Sequence, residues 1–241
     1  MRNPINSIKK RLARLQSFPA VGSRGGALFL LDPQNWIDNR ILAGVDYENK
    51  QLSKAKKLIA EYNVTIVVDI GANIGIYTII LGMESTVEMI LAFEPVRRNY
   101  NQLLGNIFIN RLDDKVRAHR VALGSAKGEA IIHIDPKSTN ISRLEIGTAD
   151  RDPSVFRQTE TVVLERFDDI APIVGRRVFV KIDVEGQAVE VIGGMKTFLE
   201  RNKGVMQIEI SRSESAVTDL LAESSWVPID AIGVDHYFAK R

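Results

Sequence analysis

Two groups of residues in this chain have types and spacings that can do chemistry. The first is Asp69-Ile70-Gly71-Ala72-Asn73-Ile74-Gly75, which closes the β-branched run from Val64 and precedes a helical pattern. A parallel strand that ends in an acid, turns on glycine and asparagine and restarts as a helix presents backbone N–H groups and a helix dipole to a ligand. A second apolar run, Met89–Phe93, ends in Glu94-Pro95, and an acid at the end of a second strand is placed to bind a ribose diol. Together these point to an adenosine-containing ligand. The second group is Lys181-Ile182-Asp183-Val184-Glu185, joined by Glu209 at the end of Gln207-Ile208-Glu209. Carboxylates at strand ends can accept a proton from a bound hydroxyl.

The loop spacing discriminates between ligands. A dinucleotide fingerprint requires G-x-G-x-x-G, so that bare backbone can approach a pyrophosphate. Here the order is Gly71-x-Asn73-x-Gly75, followed by Ile76. Asparagine tolerates left-handed dihedrals but keeps a side chain, which hinders close phosphate approach. The pattern D-x-G-x-N-x-G resembles the S-adenosylmethionine loop of class I methyltransferases, whose ligand carries no phosphate. The structural alternative is a tight turn of the kind any doubly wound protein needs after its first strand.

From Val64 onward the elements that must position these residues alternate regularly between strand and helix. Strands are expected at Val64–Asp69, Met89–Phe93, Val116–Val121, Val178–Ile182 and Val205–Ile210. Helices are expected at Ile74–Leu81, Arg97–Asn110, Ser213–Glu223 and about Ala188 to Arg201, the last broken by Gly193-Gly194. Gly128–Ile134 and Thr159–Leu164 read as a hairpin-like pair, and Arg166–Val174 as a short helix. Trp226–Ala231 and His236–Ala239 form a terminal hairpin that would add one reversed strand to an otherwise parallel sheet. The fold class expected is α/β: a Rossmann-like, mostly parallel seven-stranded sheet with one antiparallel strand near the C-terminus and helices on both faces. Two segments are expected, an N-terminal basic helix and cap over residues 1–48 and a methyltransferase-type domain over 49–241.

The 241 residues are 45% hydrophobic and 26% charged, enough for a full core. There is no cysteine, which excludes disulfides, thiolate metal sites and cysteine nucleophiles. His119, His133 and His236 are dispersed and lack metal-ligand spacing, and no G-x-S-x-G elbow or P-loop occurs. A net charge of +2 is too small to argue for nucleic acid. No run spans a bilayer and no signal-type apolar region is present, so a cytoplasmic location is expected. The bases are unevenly placed: Arg2, Lys9, Lys10, Arg11, Arg14 and Arg24 all precede the first acid, Asp32. Ile5, Ile8, Leu12 and Leu15 share one helical face opposite them. Docking of this helix on its own domain is favoured over contact with a membrane surface. Nothing in the residues sets the oligomeric state.

The ordered set of motifs resembles the FkbM-type methyltransferases. It comprises Gly44…Glu48, the Val68–Gly75 loop, Phe93-Glu94-Pro95, Asn106 and Asn110, Val121-Ala122-Leu123-Gly124, and Ser138-Thr139-Asn140-Ile141-Ser142. Most specific is Val180-Lys181-Ile182-Asp183-Val184-Glu185-Gly186 with Glu209; Gln187 stands where alanine is frequent. The resemblance implies an S-adenosylmethionine-dependent O-methyltransferase acting on a hydroxyl of a glycan, sugar or secondary metabolite. On that reading Asp69, Gly71, Asn73, Gly75, Glu94 and Ala122 would hold the cofactor. Asp183 would bind or deprotonate the acceptor, with Glu185 sharing that work and Glu209 orienting the acceptor. Lys181 would either tune Asp183 or bind an anionic part of the substrate, and the structural alternative for Asp183 is a helix cap. Asp183, Glu185 and Glu209 could also ligate a hard cation, although no second signature supports one and no metal is expected. Two other readings stay open: a nicotinamide oxidoreductase and a non-catalytic binding module.

Overall fold

The computed structural model describes residues 4–135, 143–144, 158–210 and 216–241. Their elements, in chain order, are α1 (Pro4–Ala13), β1 (Ala20–Arg24), β2 (Ala27–Leu31), α2 (Trp36–Leu42), α3 (Asn49–Glu61), β3 (Ile66–Ile70), α4 (Ile76–Gly82), β4 (Met89–Phe93) and α5 (Arg97–Ile109). They continue with β5 (Val116–His119), β6 (Ala122–Leu123), β7 (Gly128–Ile134), β8 (Arg143–Leu144), β9 (Gln158–Glu165), α6 (Phe167–Ile170), β10 (Arg177–Ile182), α7 (Ala188–Gly193) and α8 (Lys196–Arg201). The last are β11 (Lys203–Glu209), α9 (Ala216–Glu223), β12 (Val227–Ile232) and β13 (Asp235–Lys240).

The main sheet has seven strands in the order β12-β13-β11-β10-β3-β4-β5. β3, β4, β5, β10 and β11 run parallel, and β13 enters antiparallel between β11 and β12. This is the expected fold class. The expected third strand stops at His119; Ala122–Leu123 leaves the main sheet and pairs with β9 in a four-stranded sheet of order β6-β9-β7-β8. The serine- and asparagine-rich segment at residues 138–142 lies outside the described residues.

Period-two alternation sends side chains of each central strand into two separate cores. Val67, Ile90, Ala92, Phe179 and Val205 face one core, with α3, α4 and α5. Val68, Ile70, Leu91, Phe93, Val180, Ile182 and Ile208 face the other, with α6 to α9. Burial on both faces explains why these strands read as continuous apolar runs. Ala27, Phe29, Leu31, Ile37 and Ile41 belong to the first core too, so residues 27–41 share one interior with the sheet.

The hairpin β1-β2 is fastened to α5 by two asparagines. Asn106 accepts from the Leu30 N–H (2.7 Å) and donates to the Ile74 carbonyl (2.8 Å). Asn110 accepts from the Leu28 N–H (3.0 Å) and donates to its carbonyl (2.7 Å). The N-terminal helix corrects one expectation. It does dock on the domain, but through Ala13 and backbone carbonyls; Ile5, Ile8 and Leu12 face outward. Periodicity shows which residues share a face, not which way the face turns. Among the described residues no helix is long and apolar enough to cross a membrane.

Candidate active site

A cavity opens at the carboxyl ends of β3, β4 and β10, where chain direction from β3 splits to either side of the sheet, as open α/β sheets place their ligands. Asp69, Gly71, Asn73, Glu94, Ala122, Lys181, Asp183, Glu185 and Glu209 all line it. The fold therefore brings together every residue singled out from the sequence except Gly75. That glycine sits behind the loop at φ +90°, where an added Cβ would meet Leu103 Cδ1 at 2.5 Å. It is needed for the turn and for packing on α5.

The loop is built from strained but satisfied positions. Asn73 adopts φ +52°, the left-handed conformation its type tolerates. Gly71, at φ +79°, lies so near β10 that a Cβ would sit 1.9 Å from the Asp183 carbonyl oxygen; no other residue fits. Asp69 is buried and accepts from both the N–H (3.0 Å) and the hydroxyl (2.6 Å) of Thr78, which ties β3 to α4. Burial raises the Asp69 pKa, with Lys181 and the Thr78 hydrogen bonds opposing. Glu94 accepts from the Asn73 N–H (2.8 Å) with one oxygen and from the Val96 N–H (2.9 Å) with the other. Burial pushes its pKa up to about 7 against those hydrogen bonds.

At the opposite wall, residues Asp69, Lys181, Gln207 and Tyr237 stand side by side across four strands. Lys181 is only 5% exposed, a position where a lone ammonium would be very costly. Its Nζ donates to Asp183 Oδ2 at 2.8 Å and lies 4.7 Å from the centre of the Tyr77 ring. Burial works against its charge, but Asp183, Glu48, Tyr77 and Asp69 outweigh it and hold the pKa well above the usual lysine value. Glu209 is pushed up to about 8 by burial, then by Asp183 and Glu185, with Lys181 opposing. A carboxyl of that kind is largely protonated at neutral pH and can donate a hydrogen bond.

Lining residues that the sequence had not marked as site residues include Tyr47, Glu48 and Tyr77. Glu48 holds φ +54° at the start of α3, and burial raises its pKa, opposed by Lys181. Its sequence signal was its place in the Gly44–Glu48 block. Tyr77 had none, because a helix residue two after the loop looks like core. His119 stacks on Phe93 (centroids 5.0 Å, 15° between planes) as a packed residue. His236 pairs with Ile208 within the sheet. Among the described residues no group of three His, Cys, Asp or Glu is arranged to hold a metal ion.

Comparison with solved structures gives the TYW2 protein of M. jannaschii in complex with AdoMet, at 16% identity and TM-score 0.44, covering 94% of this chain and 89% of that one. A Bacillus cereus O-methyltransferase in complex with SAH has 12% identity and TM-score 0.45, covering 100% and 92%. A human methyltransferase 10 domain containing protein has 10% identity and TM-score 0.49, covering 98% and 93%. No curated protein matches the chain. The model of the methyltransferase FkbM domain matches residues 69–225, a span that runs from the acid of the glycine loop through Lys181 of β10, Asp183, Glu185 and β11 to just past α9. The chain belongs to the FkbM family and is an S-adenosylmethionine-dependent methyltransferase.

Proposed function

We propose that this enzyme methylates a hydroxyl of a sugar, glycan or secondary metabolite, with Asp183 as the proton acceptor. The observation that carries this reading is the placement of Asp183. Its carboxylate is held at 2.8 Å by a buried ammonium, keeps 28% of its side chain exposed, and faces the cavity that Glu94 and the Gly71 loop also line.

The lining fits the cofactor. Glu94 Oε2 accepts from the Asn73 N–H, and Oε1 from the Val96 N–H and, at 3.5 Å, from Asn99 Nδ2, so Oε2 keeps a lone pair for a ribose hydroxyl. Ala122 offers a small apolar surface for adenine, while Asp69 and the Gly71–Asn73 turn would border the methionine end. The acidic side chains suit a cationic ligand. When bound, the cofactor supplies an electrophilic methyl group on a positively charged sulfur.

Asp183 accepts a hydrogen bond from the acceptor hydroxyl and takes its proton as that oxygen gains the methyl carbon. Lys181 fixes the carboxylate's orientation and balances the neighbouring acids. Glu209, protonated near neutrality, orients the acceptor by donating to it, with Glu185 beside it. An acidic cavity also opposes a phosphate-rich acceptor, which supports a neutral small molecule or glycan. The family assignment displaces the oxidoreductase and non-catalytic readings.

Purified enzyme, labelled cofactor and a panel of sugar, glycan, amine and RNA acceptors provide the test. Label is expected as an O-methyl ether, and Asp183→Asn should lower turnover by about 10²–10⁴-fold while calorimetry shows near wild-type cofactor affinity. Label on nitrogen, carbon or RNA, or full turnover by Asp183→Asn, would refute the proposal.

A further inference from the structure

We propose that α1 is a docking surface for an anionic phospholipid membrane. Its orientation is opposite to that of an ordinary surface helix. Ala13 is buried against the domain, and two side chains clamp the helix backbone: Asn39 Nδ2 donates to the Lys10 carbonyl (3.0 Å) and Gln34 Nε2 to the Arg14 carbonyl (3.0 Å). The side chains that an amphipathic helix normally buries point away. Ile5, Ile8, Leu12 and Leu15 are between 59% and 81% exposed, and Phe18 and Val21 just beyond are exposed as well. Leu15 belongs to the same surface because the turn continues, with Arg14 N–H on the Lys10 carbonyl and Leu15 N–H on that of Leu12.

At about 100° per residue the stripe from Leu15 through Ile8 and Leu12 to Ile5 covers about 80° of the helix circumference. Lys9 and Arg11 fall about 40° beyond its two edges at the same pitch, and both are exposed. Arg14 lies about 100° beyond Leu15, and Lys10 falls on the far side of the helix from the stripe. Between Pro4 and Leu31 there is no Asp or Glu. An apolar stripe bordered by bases on both sides is the arrangement that lies in a bilayer interface, with apolar side chains among the acyl chains and bases at anionic headgroups.

Charge complementarity selects this occupant over others. A two-fold contact with a second copy would bring Lys9, Arg11 and Arg14 against another set of bases with no acid on either side. Nucleic acid would satisfy the bases but leave the apolar stripe in water. The clamp to α2 matters as well, since Ile37 of that helix lines the cavity.

The test is co-sedimentation of the full chain with vesicles of phosphatidylcholine alone, or with about a third phosphatidylglycerol. Wild type should pellet with the anionic vesicles, more weakly as salt rises, and stay in solution with the neutral ones. Ile8→Glu/Leu12→Glu and Lys9→Ser/Arg11→Ser should each weaken binding by about tenfold or more. Cofactor affinity and Tm unchanged in both variants would show that the fold is intact. The proposal is overturned if wild type ignores anionic vesicles, or if either variant binds as well as wild type. It is also overturned if light scattering shows a wild-type dimer that Ile8→Glu/Leu12→Glu converts to monomer.

Discussion

Glu209 and Lys181 face one cavity and are pushed by the same neighbours in ways that suit opposite charges. Asp183 raises the pKa of both, which keeps the ammonium charged and the carboxyl neutral. For Glu209 this has a measurable consequence. Its folded-state value of about 8 lies above that of an unfolded glutamate, so the native state holds a proton the unfolded state has lost. Stability therefore declines as pH rises from the unfolded value through about 8. Thermal melts across that range should show wild-type Tm falling with pH and the Glu209→Gln variant falling less; parallel slopes would show that Glu209 is not the group responsible. Much of this site was legible because its residues sit where motif spacing places them. Lys181 was conspicuous as a charge inside an apolar strand. Tyr47, Glu48 and Tyr77 were not assigned to it, because they reach the cavity from the turn before α3 and from α4 through tertiary packing.

Strands β3, β4, β10 and β11 were readable as elements because burial on both faces demands unbroken apolar runs, and their helices because Gly and Pro punctuate them. Strand ends were less so: β5 is shorter than the expected Val116–Val121, and the stretch Val116–Leu123 was split between two sheets by pairing that only the fold decides. The hairpin β1-β2 was not visible, since residues 18–26 read as a Pro/Gly/Ser-rich connection and only residues 27–31 as a short strand, and neither was its attachment. Asn106, one of the family motif residues, joins that hairpin to the residue before Gly75. Asn106→Ala strands a buried N–H and a carbonyl at a position with no exposure, at a cost of about 2–4 kcal/mol. Scanning fluorimetry should record a Tm lower by about 5–15 °C, with weaker cofactor binding because Ile74 anchors the loop. An unchanged melt would mean that water replaces the side chain.

At the scale of the molecule, the boundary expected after residue 48 cuts through a shared interior, since Phe29, Leu31, Ile37 and Ile41 pack in one cluster with Val67 and Ile90. We propose that residues 20–241 are one folding unit to which α1 is added. A chain starting at residue 49 should lose cooperative thermal unfolding. One starting at residue 17 should melt within about 3 °C of the full chain, since Ala13 is its one buried side chain in α1. The reverse pattern would restore the expected division. The charge of the cavity wall has a consequence for the catalytic cycle. Among the described residues the lining sets six carboxyl groups, Glu48, Asp69, Glu94, Asp183, Glu185 and Glu209, against the one ammonium of Lys181. Donating a methyl group turns a sulfonium into a neutral thioether, so the spent molecule has one positive charge fewer than the fresh one. With Glu209 protonated near neutrality, the carboxyl groups that stay ionised would hold the incoming donor more firmly than the outgoing by-product, which would favour exchange after each turnover.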